Sequence, residues 1–186
     1  LDWNWTKIDY LSLLNKSFVK YIIYRYEKKN KEIVNSTYLR NLKTKIFNNY
    51  LKKNQLKLRP GVKNLILFCK KEKIKLAFVS STSTNNINAI LYSLRNSINK
   101  EDFSFVGNSK LVKKFKPNPA IYLLALKKLK LKANDCLAIE DTQESLNSAK
   151  RAKIKCIIFP GKFHSSRKFS GALKKVYRLN KNIILR

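Results

Sequence analysis

From residue 58 onward, short apolar segments alternate with amphipathic ones, and this alternation restricts the fold more than any other feature of the sequence. The apolar segments are short enough to be buried strands, and apolar residues recur at helical spacing in the segments between them. We predict strands at residues 74–79, 103–106, 136–139 and 154–159, and helices at 62–73, 85–97, 119–131 and 143–152. Strands that alternate with helices predict an α/β fold with a parallel, doubly wound sheet.

Residues 9–53 have apolar positions at helical spacing without intervening strand segments, which predicts two or three helices. The turn-forming sequence at residues 59–61 then gives a helix start. We therefore predict a small helical domain at 1–57 and an α/β domain at 58–186.

The chain is strongly basic. Lysine and arginine number 41 against 11 aspartates and glutamates, which gives a formal charge of +30. At 44% hydrophobic residues the chain is as apolar as an ordinary globular domain, which excludes a disordered polycationic tail. The 33 lysines and 8 arginines are spread along the chain, without a helix-turn-helix, zinc-finger or aromatic RNA-binding motif. We favour a solvated lysine-rich surface, and nucleic-acid binding stays as an alternative.

The sequence shows neither a membrane span nor an export signal. No apolar stretch approaches about 18 residues, and no basic start followed by an apolar core occurs near residue 1, so we expect a cytoplasmic protein. We also expect a monomer. Cys69, Cys136 and Cys156 are widely spaced and form no Cys-x-x-Cys pair, which argues against disulfides and structural zinc. Because the chain begins at Leu1 and contains no methionine, we expect an incomplete translation product.

Polar clusters stand where the predicted strands end, which is the edge at which parallel sheets bind ligands. Ser80, Ser81 and Thr82 follow the first strand, where hydroxyls and backbone N–H groups can bind a phosphate. The alternative is that they cap a helix and shape a loop. Lys116 precedes two prolines, which stiffen the backbone of a lysine that must reach a fixed anion.

Glu140 and Asp141 follow the third predicted strand. Two adjacent carboxylates repel each other unless a cation or a basic group lies beside them. Mg²⁺ takes one or two carboxylates together with waters and substrate phosphate, so this pair is a candidate magnesium site. The alternative is an acidic start to the helix that follows.

Taken in order, hydroxyls after a strand, Lys-Pro-x-Pro before a helix and Glu-Asp-Thr after a strand resemble three motifs of the haloacid dehalogenase superfamily of phosphatases. Residues 116–131 resemble the subfamily that contains beta-phosphoglucomutase and the CbbY phosphatases. The segments 1–5, 76–83 and 159–172 resemble corresponding CbbY segments. The resemblance covers most of the chain.

The resemblance implies a Rossmann-like parallel sheet with a small helical cap, and a Mg²⁺-dependent hydrolase of phosphate monoesters. Members of the CbbY group act on xylulose 1,5-bisphosphate, so a small phosphorylated sugar is the implied substrate. In such enzymes an aspartate attacks phosphorus and a second aspartate, two residues on, acts as acid and base.

The resemblance also implies roles for individual residues. Ser80 matches a hydroxyl that hydrogen-bonds the phosphoryl group, and Lys116 a lysine that neutralises its charge. Asp141, helped by Glu140, matches the magnesium-holding acid. The implied substrate-binding residues are Ser81, Thr82, Lys20 in the cap and Arg59 at the hinge.

The sequence departs from this family at its first motif, Asp-x-Asp-x-Thr. The aspartates are at positions 2, 9, 102, 135 and 141, and none has another two residues away. We therefore expect the first, central strand of the sheet to be missing and its neighbours to be left with unpaired backbone groups. The resemblance also implies that related sequences have glycine at the position of Lys153. We therefore expect Lys153 to adopt a positive φ.

Two alternatives remain beside a CbbY-like phosphatase. Because the nucleophile motif is absent, the chain could be a catalytically dead module that binds a phosphorylated metabolite or a partner protein. The other alternative is a basic nucleic-acid-binding protein, which predicts an affinity for DNA or RNA that falls steeply with salt.

Overall fold

The computed structural model describes residues 24, 27, 28, 33 and 35–185. The chain forms two compact units, residues 1–49 and 50–186. Helix α1, Ser36–Lys53, confirms one of the helices predicted for residues 9–53, and the rest of that prediction falls almost wholly outside the described residues. The domain boundary between residues 57 and 58 stays a prediction.

The second unit has the alternating helices and strands that the sequence predicts. Its further helices are α2 Val62–Lys71, α3 Thr84–Ser93, α4 Ala120–Leu129 and α5 Gln143–Arg151. Its strands are β1 Ala77–Val79, β2 Phe105–Gly107, β3 Leu137–Glu140, β4 Lys155–Ile158 and β5 Lys174–Lys175. The α/β class is confirmed.

The strands are parallel and lie in two separate sheets. β1 pairs with β2, with Ala77 opposite Phe105. β3, β4 and β5 form the other sheet in that order, with Leu137 opposite Lys155. Among the strands that the structure describes, β1 and β3 therefore each keep one edge without a partner strand.

Two differences from the predicted strands have local causes. β1 begins three residues late because Ile74 donates its N–H to the carbonyl of Cys69, 2.8 Å away, and so belongs to the end of α2. β5 was not predicted, since Lys174 and Lys175 have no apolar pattern. They form a strand because β4 presents the backbone of Ile157 and Ile158 to them.

Three apolar clusters hold the unit together. α4 and α5 pack on β3 and β4 around the fully buried Leu146 and Ile158. α2 packs through Leu65 on Phe159. α3 packs through Ile87 beside β1 and β2. The helices thus cover the strands and leave the carboxyl ends of the strands for a site.

Three lysines end helices in the left-handed backbone region. Lys73, Lys130 and Lys153 have φ values of 55°, 54° and 61° and follow α2, α4 and α5. The positive φ expected at Lys153 is confirmed. A side chain at such a position is strained by about 1–2 kcal/mol relative to right-handed backbone, which glycine avoids.

The segment that enters α2 is tied to the C-terminal part of the chain. Leu179 donates its N–H to the carbonyl of Pro60, 3.1 Å away. Gly61 has a φ of 84°, and a Cβ built there would lie 1.9 Å from the carbonyl oxygen of Leu179. Only glycine fits this approach, so the position of Arg59 is fixed by the backbone around it.

Candidate active site

The carboxyl ends of β1 and β3 meet at Lys116. Its ammonium group lies 3.2 Å from the carbonyl oxygen of Val79, the last residue of β1. It also lies 2.5 Å from Oε1 of Glu140, the last residue of β3. The lysine side chain is 7% exposed and that of Glu140 11%, so the ion pair is largely shielded from water. Lys116 is thus the basic group beside the carboxylate pair.

Tyr122 completes this cluster from helix α4. Its hydroxyl donates a hydrogen bond to the same Oε1 of Glu140. Burial first, and the negative charge of Glu140 second, raise the pKa of Tyr122 well above its usual value, so the hydroxyl keeps its proton and remains a donor. Two donors on one oxygen fix the orientation of the Glu140 carboxyl group.

The loop that carries Lys116 is held by helix α5. Ser148 is fully buried and donates its hydroxyl proton to the carbonyl of Asn118, 2.7 Å away. Arg151 donates to the carbonyl of Pro117 at 3.1 Å. The peptide bond between Lys116 and Pro117 is cis. The two hydrogen bonds from α5 hold the Lys116 loop without any ligand.

The hydroxyl residues after β1 divide into two groups. Ser83 caps α3 by accepting from the N–H of Asn86 at 3.3 Å, and Thr82 Oγ1 accepts from the Asn86 side chain at 2.8 Å. Ser80 Oγ accepts the N–H of Thr82 at 3.2 Å, which leaves its own proton to donate. Ser81 is exposed. Thr82 therefore helps to shape the start of α3, which is the structural alternative to phosphate binding. Ser80 and Ser81 line the cavity beside Lys116.

Arg59 is anchored to backbone carbonyls after β4. Its guanidinium donates to the carbonyl of Phe159 at 2.7 Å and to that of Pro160 at 2.5 Å, and it lies 3.5 Å from the centre of the Phe159 ring. Burial lowers the pKa of Arg59, and the negative charge of Asp141 opposes that shift. Arg59 thus lies within electrostatic range of Asp141. Its contact with substrate stays a prediction.

Asp141 is exposed beside the Lys116–Glu140 pair. The negative charge of Asp141 also acts on His164. Burial first, and the positive charge of Arg167 second, lower the pKa of His164, and Asp141 opposes that shift. No group of three or more His, Cys, Asp or Glu side chains clusters anywhere in the part of the chain that the structure describes. Mg²⁺ requires fewer protein ligands, because waters complete its shell. Glu140 and Asp141 together fit that requirement.

The structure brings together Ser80, Lys116, Glu140 and Asp141, and Lys20 lies outside the described residues. Sequence reasoning missed Tyr122 and Ser148. Tyr122 lies on the apolar face of a helix, and an aromatic residue at such a position is ordinarily interpreted as part of the hydrophobic core. Ser148 could have been noticed as a polar residue on the apolar face of α5.

The sequence model of the haloacid dehalogenase-like hydrolases matches residues 4–159, most of the chain. The chain belongs to this family. The protein CbbY of Cereibacter sphaeroides is 30% identical over 175 residues, which are 92% of this chain and 76% of that protein.

Two crystal structures of CbbY from Rhodobacter sphaeroides share the fold of this haloacid dehalogenase-like hydrolase at 30% identity. The complex with phosphate has a TM-score of 0.81, and a mutant in complex with xylulose-1,5-bisphosphate has a TM-score of 0.82. Each match covers 94% of this chain and 79% of the CbbY chain. The predicted family and the hydrolase resemblance are confirmed.

No helix among the described residues is both long and apolar enough to cross a membrane.

Proposed function

We propose that this chain has the phosphate-binding and magnesium-binding site of a CbbY-like phosphatase for a phosphorylated sugar, with Mg²⁺ as its cofactor. The observation that carries the proposal is the meeting of Ser80, Lys116, Glu140 and Asp141 at the carboxyl ends of β1 and β3. A hydroxyl, an ammonium group and two carboxylates are the groups that bind a phosphate and a magnesium ion side by side. The CbbY complex with xylulose-1,5-bisphosphate supports the substrate class.

Each residue has a chemical role in this proposal. Lys116 binds a phosphoryl oxygen through the third proton of its ammonium group, since the other two point to Val79 and Glu140. Ser80 donates its hydroxyl proton to a second oxygen. Asp141, with the free oxygen of Glu140, holds the magnesium, which supplies charge neutralisation at the phosphate when bound.

The attacking carboxylate is the part that this sequence does not contain. None of the five aspartates has a second aspartate two residues away. We therefore expect this chain to bind the sugar phosphate without releasing phosphate from it. That behaviour is also what a binding module for phosphorylated metabolites would show, so binding and turnover must be measured separately.

The test is calorimetric titration of the chain with xylulose 1,5-bisphosphate, with and without Mg²⁺. We expect Lys116→Met to weaken binding by at least about tenfold, as the loss of one charge-assisted hydrogen bond does. Asp141→Asn should remove the gain in affinity that Mg²⁺ gives. The matched controls are the exposed Lys114→Met and Asp135→Asn.

An affinity for the sugar phosphate that changes neither on addition of Mg²⁺ nor in the Lys116→Met variant would contradict the proposal. A phosphate-release assay on the same samples then separates a phosphatase from a binding module. Added duplex DNA should leave the titration unchanged. If DNA displaces the sugar phosphate, with an affinity that falls steeply as salt rises, the nucleic-acid alternative is favoured.

A further inference from the structure

One six-residue pattern of basic side chains occurs three times in the chain, each time where a helix ends and a strand follows. The segments are 70–75, Lys-Lys-Glu-Lys-Ile-Lys, 127–132, Lys-Lys-Leu-Lys-Leu-Lys, and 150–155, Lys-Arg-Ala-Lys-Ile-Lys. In each segment the first, second, fourth and sixth residues are basic and the fifth is isoleucine or leucine. The segments end α2, α4 and α5 and lead into β1, β3 and β4. We call them the three basic turns.

The three basic turns share one backbone geometry. Lys73, Lys130 and Lys153, the fourth residues, have φ values of 55°, 54° and 61°. The fifth residue of each turn donates its N–H to the carbonyl oxygen five residues earlier, at 2.8, 3.1 and 3.0 Å in chain order. This hydrogen bond defines the Schellman form of a helix end. The lysines therefore leave the three helices in the same way.

The fold collects the three basic turns at one end of the sheet. The carboxyl ends of β1 and β3 both contact Lys116, so the starts of these parallel strands lie at the opposite end. The ammonium group of Lys75 donates to the carbonyl of Leu129 at 3.0 Å, which joins the first turn to the second. Lys155 lies opposite Leu137, so the third turn is beside the start of the strand that follows the second.

The three basic turns carry a large excess of positive charge. All of their lysines and their one arginine, Arg151, are exposed. Glu72 is the one acidic residue within the three segments. Lys70 pairs with Asp102, which precedes β2. The end of the sheet remote from the candidate active site is therefore a basic face.

Helix stability explains only part of this pattern. A cation in the last turn of a helix interacts favourably with the helix dipole, and this applies to the first two residues of each segment. The fourth residue has left-handed backbone, which favours glycine. The sixth residue lies beyond the helix. Lysine at the fourth and sixth positions thus supplies a charge that the local structure does not require.

The composition of the basic face favours the phosphates of a nucleic-acid duplex over other polyanions. Lysine binds phosphate oxygens as a point charge, without the planar fork by which arginine reads base edges. The three segments contain no aromatic residue, the type on which single strands stack and around which protein interfaces form. Ile154 is 5% exposed and Leu131 half-buried, so these two turns offer little apolar surface for insertion into a membrane.

We propose that the three basic turns bind the phosphate backbone of double-stranded nucleic acid, without preference for sequence. The lysines at the fourth and sixth positions of each turn contact phosphates, and the release of counterions from the duplex supplies the affinity. This interaction goes beyond the proposed function. Because the basic face and the candidate active site lie at opposite ends of the sheet, the duplex and the sugar phosphate bind independently.

The experiment titrates a fluorescein-labelled duplex of mixed sequence with the full chain. Fluorescence anisotropy gives the affinity at NaCl concentrations from about 0.05 to about 0.2 M. We expect the logarithm of the association constant to fall linearly with that of the salt concentration, with a slope of about −0.9 for each phosphate contacted. Two DNA duplexes of different sequence should bind alike. A parallel titration with duplex RNA identifies which of the two backbones fits the face better.

A triple glutamine variant tests where the duplex binds. Replacing Lys75, Lys132 and Lys155 by glutamine should weaken binding by at least about tenfold and reduce the salt slope by about 2.7, because three phosphate contacts are lost. The matched control removes the same charge from three exposed lysines outside the basic turns. It combines Lys110→Gln, Lys114→Gln and Lys168→Gln. The control should leave the salt slope unchanged.

A triple glycine variant separates binding from stability. Glycine in place of Lys73, Lys130 and Lys153 removes three charges and relieves the strain of the left-handed backbone. We expect this variant to unfold at a higher urea concentration than the parent chain and yet to bind the duplex at least about tenfold more weakly. Lysines that served the fold alone would not produce a more stable chain with a weaker affinity.

Three outcomes would overturn the proposal. One is the absence of saturable binding at about 0.05 M NaCl. Another is an equal change of the salt slope in the control variant and in the two variants of the basic turns. The third is tighter binding to phosphatidylserine vesicles than to the duplex at equal phosphate concentration, because the partner would then be a lipid surface.

Discussion

At the scale of single residues, the site depends on one buried ion pair and its tyrosine. Lys116 and Glu140 are 7% and 11% exposed, so each relies on the other for compensation of its charge. An ion pair of this kind adds little stability by itself, but removing one partner leaves the other charge in a poorly solvated place. The site therefore couples phosphate recognition to folding.

We expect Lys116→Met to lower the free energy of unfolding by about 3 kcal/mol, because it leaves the negative charge of Glu140 poorly solvated and without its positive partner. Glu140→Gln in the same chain should restore most of that loss. Urea denaturation of the two single variants and the double variant measures the coupling. Additive losses would show that the two side chains do not interact in solution. Circular dichroism verifies the fold before any of these variants is used in a binding assay.

A second residue-scale prediction concerns Asp102. The ion pair with Lys70, and then the N–H of Asn99, lower its pKa. A carboxyl group whose pKa is lower in the folded state stabilises above its unfolded pKa, and loses that contribution as the pH falls through the folded value. Asp102→Asn should therefore reduce stability near pH 7 by less than about 1 kcal/mol, as an exposed pair does.

Below the folded pKa of Asp102, the variant and the parent chain should be equally stable. Urea denaturation at neutral and at acidic pH measures the difference. The neighbouring Glu101→Gln is the matched control. An equal loss from Asp102→Asn at both pH values would contradict the assignment of the pKa shift to this pair.

At the scale of secondary-structure elements, the helices position the site through their ends. α5 holds the Lys116 loop by Ser148, and α4 contributes Tyr122. α2, α4 and α5 each terminate at a lysine with positive φ. These ends are formed by backbone geometry, in spite of the side chains that occupy them.

Replacing Lys130 or Lys153 by glycine should raise the free energy of unfolding by about 0.5–1 kcal/mol, because glycine adopts positive φ without strain. Lys127→Gly, inside α4, should lower it by about 1 kcal/mol. Thermal and urea denaturation of the three variants provide the measurement. Destabilisation by all three would mean that the left-handed conformations are absent in solution.

A further element-scale prediction concerns the link between α5 and the Lys116 loop. Ser148→Ala should cost about 1–2 kcal/mol, because the carbonyl of Asn118 loses its buried donor. Ser145→Ala, one turn earlier in α5, leaves that bond intact and serves as the control. The same urea titrations report both, and equal stabilities would contradict a role for this bond.

At the scale of the whole molecule, the charge of +30 acts on every part of the fold at once. Like charges spread over a surface repel each other and destabilise the compact state. Salt shortens the range of this repulsion from about 30 Å at 0.01 M to about 10 Å at 0.1 M.

We therefore expect the unfolding temperature to rise as NaCl increases from about 0.01 to about 0.3 M. KCl at equal ionic strength should give the same increase, since screening does not depend on the identity of the ion. Differential scanning calorimetry measures both series. A temperature that falls with salt would show that attractive pairs outweigh the repulsion.

The fold could be predicted from the sequence because burial and helical spacing are local patterns. The segment around Leu146 was correctly predicted to be a helix and the segment around Ile158 a strand. Apolar residues recur at helical spacing in the first and form a short continuous run in the second. Lys153 could be assigned a positive φ from the family resemblance, because related sequences have glycine at that position. β5 could not be predicted, because a pair of lysines becomes a strand only when a neighbouring strand presents its edge.

The sequence by itself determined the α/β class, the family and the placing of Ser80, Lys116, Glu140 and Asp141 at strand ends. The tertiary structure alone decided which of these groups touch. It paired Lys116 with Glu140, brought Tyr122 to the same oxygen, and divided the strands between one sheet of β1 and β2 and another of β3, β4 and β5. The physical reason is that periodicity is encoded within a segment, whereas an ion pair or a strand edge is made by residues far apart in the chain.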